Sequence, residues 1–257
     1  MNFNPTNTAS RFTTKLSEMI ELDGNWEVGL VEISMPRSIV NVRTDDHYYY
    51  AFLTQDCNNE HADRIVLSPG SYANVKDALR ALLKAHSEKY EFWRSDKDTL
   101  VIFRYVSTNK RVSVRIRHRE DNNIFGIQFS PALAEMLGFN QHVVYEGLQE
   151  YRAFNPPDMH VNNNLLYVYC DLLEQIIVGD TKAALLRIVD RVPDDHQFDG
   201  INHAVFHPIT YVPLQKKFFD MIEMLLMTDQ GEPMPFIDGK SIVVLEFRRA
   251  AHPYLLL

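Results

Sequence analysis

Hydrophobic and polar positions at the start of the chain alternate with the period of a β-strand. Phe12, Leu16, Ile20 and Leu22 share one face at period two, with Thr14 and Glu18 interspersed. The same apolar residues would also suit a helix, but the β-branched threonines and the turn that follows favour a strand. Asp23-Gly24 supplies the turn, Trp26 to Ile33 resumes as a second strand, and Pro36 ends it. The two are expected to form a hairpin or a corner of an antiparallel sheet. His47 to Leu53 is aromatic and apolar throughout and reads as a further strand, followed by the polar loop Gln55 to Glu60.

The pattern then changes period. After Ile65-Val66-Leu67 and the turn Ser68-Pro69-Gly70-Ser71-Tyr72, the residues Val75, Ala78, Leu79, Leu82 and Leu83 recur at helical spacing. Lys76, Asp77, Arg80 and Lys84 lie on the opposite face, and Ser71 or Asn74 is placed to cap the helix. Strands are expected at Tyr90 to Arg94, Leu100 to Val106, Val112 to His118 and Ile127 to Phe129. A short helix follows over Pro131 to Leu137, with proline at its first position and Gly138 closing it.

Strand character returns for the rest of the chain. Leu165 to Asp171 is apolar on both sides and is expected to be buried on both faces. Lys182 to Val189, Ala204 to Leu214 (broken by Pro208 and Pro213), Phe218 to Thr228 and Ser241 to Arg248 complete the series. These elements predict a mainly β fold: a single jelly-roll β-sandwich interrupted by an inserted α+β domain. Residues 1–60 form the first part of the sandwich, 61–142 the insertion and 143–257 the second part. Removing the insertion leaves about eight strands, the number a jelly roll needs. No Cys…Trp…Cys spacing supports an immunoglobulin sandwich.

Composition narrows the class. Of 257 residues, 46% are hydrophobic and 11% aromatic, which excludes disorder over most of the chain. Cys57 and Cys170 are too few for a disulfide framework, lack zinc-ligand spacing and are expected to be reduced in an intracellular setting. A formal charge of −8 argues against a dedicated nucleic-acid binder but leaves room for a local basic patch. The first fifteen residues have no apolar signal-peptide core, and no apolar run is long enough to span a bilayer.

Motifs for chemistry are sparse. The sequence holds no glycine-rich phosphate loop, no HExxH and no GxSxG elbow. Ser71 reads as a turn or capping residue and not as a nucleophile. Asp45-Asp46-His47 and Asp194-Asp195-His196 could in chemical terms hold a metal or act as acid–base pairs, but their turn-forming surroundings read as solvated loops. His203 and His207, four apart on a strand, stand too far apart to chelate easily. Tyr48-Tyr49-Tyr50 could stack bases, although aromatic strands more often fill cores. The expectation is therefore a non-enzymatic protein without cofactor or metal.

One stripe stands out as an interaction patch: Arg111, Arg115, Arg117 and Arg119, aided by Lys110, Arg104 and Arg94. Like charges on one strand face repel, so they need solvent, counterions or an acidic partner. A weak nucleic-acid contact is one reading; a solvated face or an acidic neighbouring subunit is the blander one.

Several segments, taken in order, resemble a known family. They are Leu22-Asp23-Gly24-Asn25-Trp26-Glu27-Val28-Gly29-Leu30-Val31-Glu32-Ile33, Ser68-Pro69-Gly70-Ser71-Tyr72, Phe129 to Phe139 and Leu166 to Glu174. Gly179-Asp180 with Leu185-Leu186-Arg187, Tyr211-Val212-Pro213-Leu214, Pro235-Phe236, Gly239-Lys240 and Leu245-Glu246-Phe247-Arg248 continue the series. Together they resemble the penton, or vertex, minor capsid protein of Polinton/Maverick elements, adintoviruses and virophages. That resemblance implies a jelly-roll capsid subunit, made inside the host cell and assembled as a homopentamer at the fivefold vertices of a virion. Double jelly-roll major capsid proteins would surround it. The family has no catalytic residues to carry over. The rival reading is a host-domesticated or viral binding module of the same fold, whose inserted domain recognises a ligand or nucleic acid.

Overall fold

The computed structural model describes residues 6–43, 47–54, 63–89, 100–117, 124–147, 149–159, 165–179, 181–190 and 200–250. The chain begins with β1 (Arg11–Glu21) and β2 (Trp26–Pro36), continues through β3 (Tyr49–Thr54) and β4 (Asp63–Val66), and enters α1 (Val75–Lys89). Then come β5 (Leu100–Val106), β6 (Arg111–Arg117), β7 (Ile124–Phe129), α2 (Pro131–Leu137), β8 (Val144–Glu146) and β9 (Glu150–Arg152). The last part holds β10 (Leu165–Cys170), β11 (Ile176–Val178), β12 (Thr181–Ala183) and β13 (Leu185–Asp190). It closes with β14 (Ile201–Val205), β15 (Tyr211–Pro213), β16 (Phe218–Met227) and β17 (Ile242–Arg249).

These elements fall into two compact units, one made of Met1–Ile39 with Asn162–Leu257 and the other of Val40–Val161. In the first, one sheet has the order β1-β16-β10-β13. In the other, β2 pairs along one edge with β17 and along its other edge with β14 and then β15. Both sheets are antiparallel, and their inner faces share one core. Val28, Leu30, Ile33 and Met35 of β2 meet Leu166, Val168 and Cys170 of β10, Leu186 and Val189 of β13, and Met224 and Leu226 of β16. Each such aliphatic side chain taken from water contributes roughly 1.5–3 kcal/mol, which is why the inward period-two pattern decides the register.

The second unit carries two sheets, β4-β3-β7-β8 and β5-β6-β9, with both helices. Its core is aromatic: Tyr50, Phe52, Phe103, Phe129, Phe139 and Tyr145 pack together, and Phe129 and Phe139 stack with centroids 4.8 Å apart. Asn74 caps α1, accepting from the Asp77 amide at 3.1 Å while its own amide donates to the Asp77 carboxylate at 2.8 Å. At α2 the missing sequence cue was Ser130. Its hydroxyl accepts from the Leu133 amide at 3.3 Å and from the Tyr49 amide at 3.0 Å, tying the helix to β3. Gly138 ends α2 in the left-handed region at φ 81, where an added Cβ would lie 2.1 Å from the Asn155 carbonyl oxygen.

Several expectations change. Of the two alternatives expected for β1 and β2, hairpin or corner, the structure has the corner, because β1 pairs with β16 while β2 belongs to the other sheet. The aromatic strand expected in the sandwich, within residues 1–60, instead pairs as β3 with β4 and β7 in the second unit. The stretch 143–161 belongs there too, since β8 pairs with β7 and β9 with β6. The division therefore falls at 39/40 and 161/162, not at 60/61 and 142/143. An aromatic strand suits either core, so local pattern could not choose between them. Lys182 to Val189 is two strands, interrupted at Ala184, and the strand from Leu165 is buried on one face only: Leu166, Val168 and Cys170 are inside, while Leu165 is exposed and Tyr167 and Tyr169 are half-covered. The expected strand at Tyr90 to Arg94 lies outside the described residues.

Candidate interaction surface

The arginine stripe of β6 is built by strand alternation. Val112, Val114 and Ile116 point inward and are fully buried, which leaves Arg111 and Arg115 exposed on the other side. Register brings partners from two neighbouring strands. Arg104 of β5 lies opposite Ser113, Ser113 lies opposite Arg152 of β9, and Arg115 lies between Ile102 and Glu150. Arg104, Ser113 and Arg152 thus form a row across three strands, with Arg111 and Arg115 on either side along β6. Lattice geometry sets the spacing at about 4.8 Å between strands and about 13 Å from Arg111 to Arg115.

One acid sits among these bases. The Ser113 hydroxyl holds the Glu150 carboxyl below the usual carboxylate range; desolvation opposes this, and Arg152, Arg104 and Arg115 add to the lowering. Lys110, in the left-handed region at φ 50, ends the turn between β5 and β6 and extends the positive edge. Arg117 is in β6 opposite Leu100, while Arg119 and Arg94 lie outside the described residues.

Other candidates do not converge. Asp45, Asp46, Asp194, Asp195, His196 and Cys57 lie outside the described residues, and His47 is exposed. His203 Nδ1 stands 2.9 Å from the Ser34 hydroxyl and 3.6 Å from a Glu32 carboxylate oxygen. No group of three metal-ligating side chains occurs among the described residues. The Ser71 hydroxyl is buried and has no hydrogen-bond partner among the described residues. Tyr50 is wholly buried and its hydroxyl meets His86 Nδ1 at 2.8 Å, so this tyrosine serves the core, while Tyr48 and Tyr49 are half-buried. Cys170 is buried, and burial pushes its thiol up to about 11.

Two features were missed from sequence. Arg152 and Glu150 join the stripe only through the β6–β9 pairing, which no local pattern signals. The outer face of the β2 sheet carries exposed apolar side chains among its polar ones. Ile201, Val205 and Ile242 are 65%, 63% and 63% exposed, and Val244 is also exposed. Val205 and Val244 flank Glu32, and His203 and Ile242 flank Ser34. Toward the other end of the sheet Arg248 binds Glu27 at 2.9 Å and lies 3.5 Å over the Tyr211 ring, whose hydroxyl donates to Glu246.

The chain is a mainly β protein of the jelly-roll sandwich class. Among solved structures it is similar to the crystal structure of the selenomethionine-labelled mavirus penton protein, with a TM-score of 0.59 and 10% sequence identity. The similarity covers 95% of this chain and 92% of that one, so it spans both compact units. No family model and no curated protein matches the sequence. No helix among the described residues is long and apolar enough to cross a membrane.

Proposed function

We propose that this chain is a structural capsid protein of the penton class, non-enzymatic, which assembles as a homopentamer that closes the fivefold vertices of a virion. In this reading double jelly-roll major capsid proteins surround the pentamer, and the compact unit 40–161 is an α+β domain inserted in the jelly roll. The observation that carries the reading is the end-to-end likeness in fold to the mavirus penton protein.

The exposed apolar face supports it. A ring requires a heterologous interface, in which one side of each subunit complements a different side of the next. Ile201 and Val205 on β14 and Ile242 and Val244 on β17, on either side of Glu32 and Ser34, are exposed apolar side chains of the kind that a second copy would cover. Light scattering on purified protein tests the proposal. Five subunits of 29.9 kDa give about 150 kDa, and negative-stain images should show rings. A strict monomer at high concentration, with and without major capsid protein, overturns it.

A further inference from the structure

We infer that the outer face of the β5-β6-β9 sheet is a binding surface for a sulfated polysaccharide, engaged by Arg104, Arg111, Arg115 and Arg152. The inference does not depend on the vertex reading. Four exposed arginines gather on one face of a chain whose net charge is −8, with Glu150 as the acid facing them. Arg104, Arg115 and Arg152 act on the facing Glu150 through space, but none of the four is locked in a close ion pair among the described residues. A planar guanidinium matches the oxygens of sulfate or phosphate two at a time.

The geometry of the face selects an extended polymer over a small ion. The charges are spread over three strands of a sheet instead of converging on one point, with about 7 Å between alternate residues of a strand. A chain bearing an anion at each sugar can cross from Arg104 to Arg152 over the buried Ser113 and reach Arg111 or Arg115. Single-stranded nucleic acid fits less well. Such strands are held largely by bases stacked on aromatic rings, whereas the described side chains among these arginines are Ile102, Val106, Glu150 and the buried Ser113.

Calorimetry or surface resonance with the full chain and a heparin octasaccharide tests this. Four sulfate contacts should give an affinity that falls about sixtyfold between about 50 and about 200 mM salt, by release of condensed counterions. The double variant Arg104→Ser, Arg115→Ser should lower the log–log salt slope by roughly two contacts' worth and weaken binding at least tenfold. Glu150→Gln, which removes the acid from the face, should tighten it. The inference is overturned by undiminished binding in the double variant, by weaker binding in Glu150→Gln, or by tighter binding of an oligothymidylate than of heparin. Light scattering of the same variants separates this outcome from the vertex proposal, since neither set of residues lies in the apolar face on which ring formation rests.

Discussion

Cys170 shows how one buried side chain makes stability depend on pH. Its thiol, inside the sandwich core, is pushed up to about 11 from an ordinary value of 9.0, chiefly by desolvation. Below pH 9 the thiol is protonated whether the chain is folded or not, so stability there is independent of it. Between pH 9 and 11 the unfolded thiol ionises while the buried one keeps its proton, so rising pH favours unfolding. The loss reaches about 2–3 kcal/mol by pH 11. Urea titrations at pH 8 and pH 10.5, compared with the same pair for Cys170→Ala, should show the steeper alkaline decline in the natural protein. Equal declines would mean that the thiol is solvated. The identity of this residue as a buried one was readable from its apolar strand; the direction of its titration required the core around it.

Among the elements, helix starts were partly legible and their energetic ranking was not. Asn74 was one of two candidate caps, with Ser71, before an amphipathic run, and it is the one that caps α1, on an exposed surface. Ser130 carried the same local signal ahead of Pro131, yet its hydroxyl serves two amides, Leu133 on its own helix and Tyr49 on β3, while its backbone amide donates to the Tyr49 carbonyl at 2.8 Å. Ser130 is buried, so its loss leaves two donors short of a partner. Ser130→Ala should therefore cost about 2 kcal/mol and Asn74→Ala about 1 kcal/mol. Denaturant unfolding of both variants checks the order, and a larger loss for Asn74→Ala would mean that the α2–β3 tie contributes nothing. The arginine stripe follows the same division. Arg111 and Arg115 came from alternation along β6, but Arg104, Ser113 and Arg152 become neighbours only through the pairing of three strands.

At the level of the whole molecule the exposed apolar side chains on the outer face of the β2 sheet are the feature that the proposed assembly would account for. Charged residues placed there would leave the inner core untouched, since Val205 and Ile242 point away from it. The variant Val205→Glu with Ile242→Glu should keep its unfolding midpoint, because exposed substitutions change stability by about 0.5 kcal/mol or less. Where the proposed pentamer forms, this variant's mass should nevertheless fall to that of a monomer, as read by light scattering. A variant that still forms rings would move the subunit interface to another face.

The sequence alone determined most of the longer strands, the two helices and the mixed segment between two β-rich ends, because periods of 2 and 3.6 are properties of neighbouring residues; the short strands β8, β9 and β11 carried too little pattern to be read. It also determined that residues such as Val112, Val114 and Ile116 turn inward. Only the tertiary structure decided that β3, β8 and β9 belong with the helices and not with the sandwich. It alone placed Arg152 beside Arg104 and left Ile201, Val205 and Ile242 facing water. Those outcomes depend on which distant strands exchange hydrogen bonds. That choice is made by the packing of whole sheet faces, and a stretch of chain too short to bury a face carries no record of it.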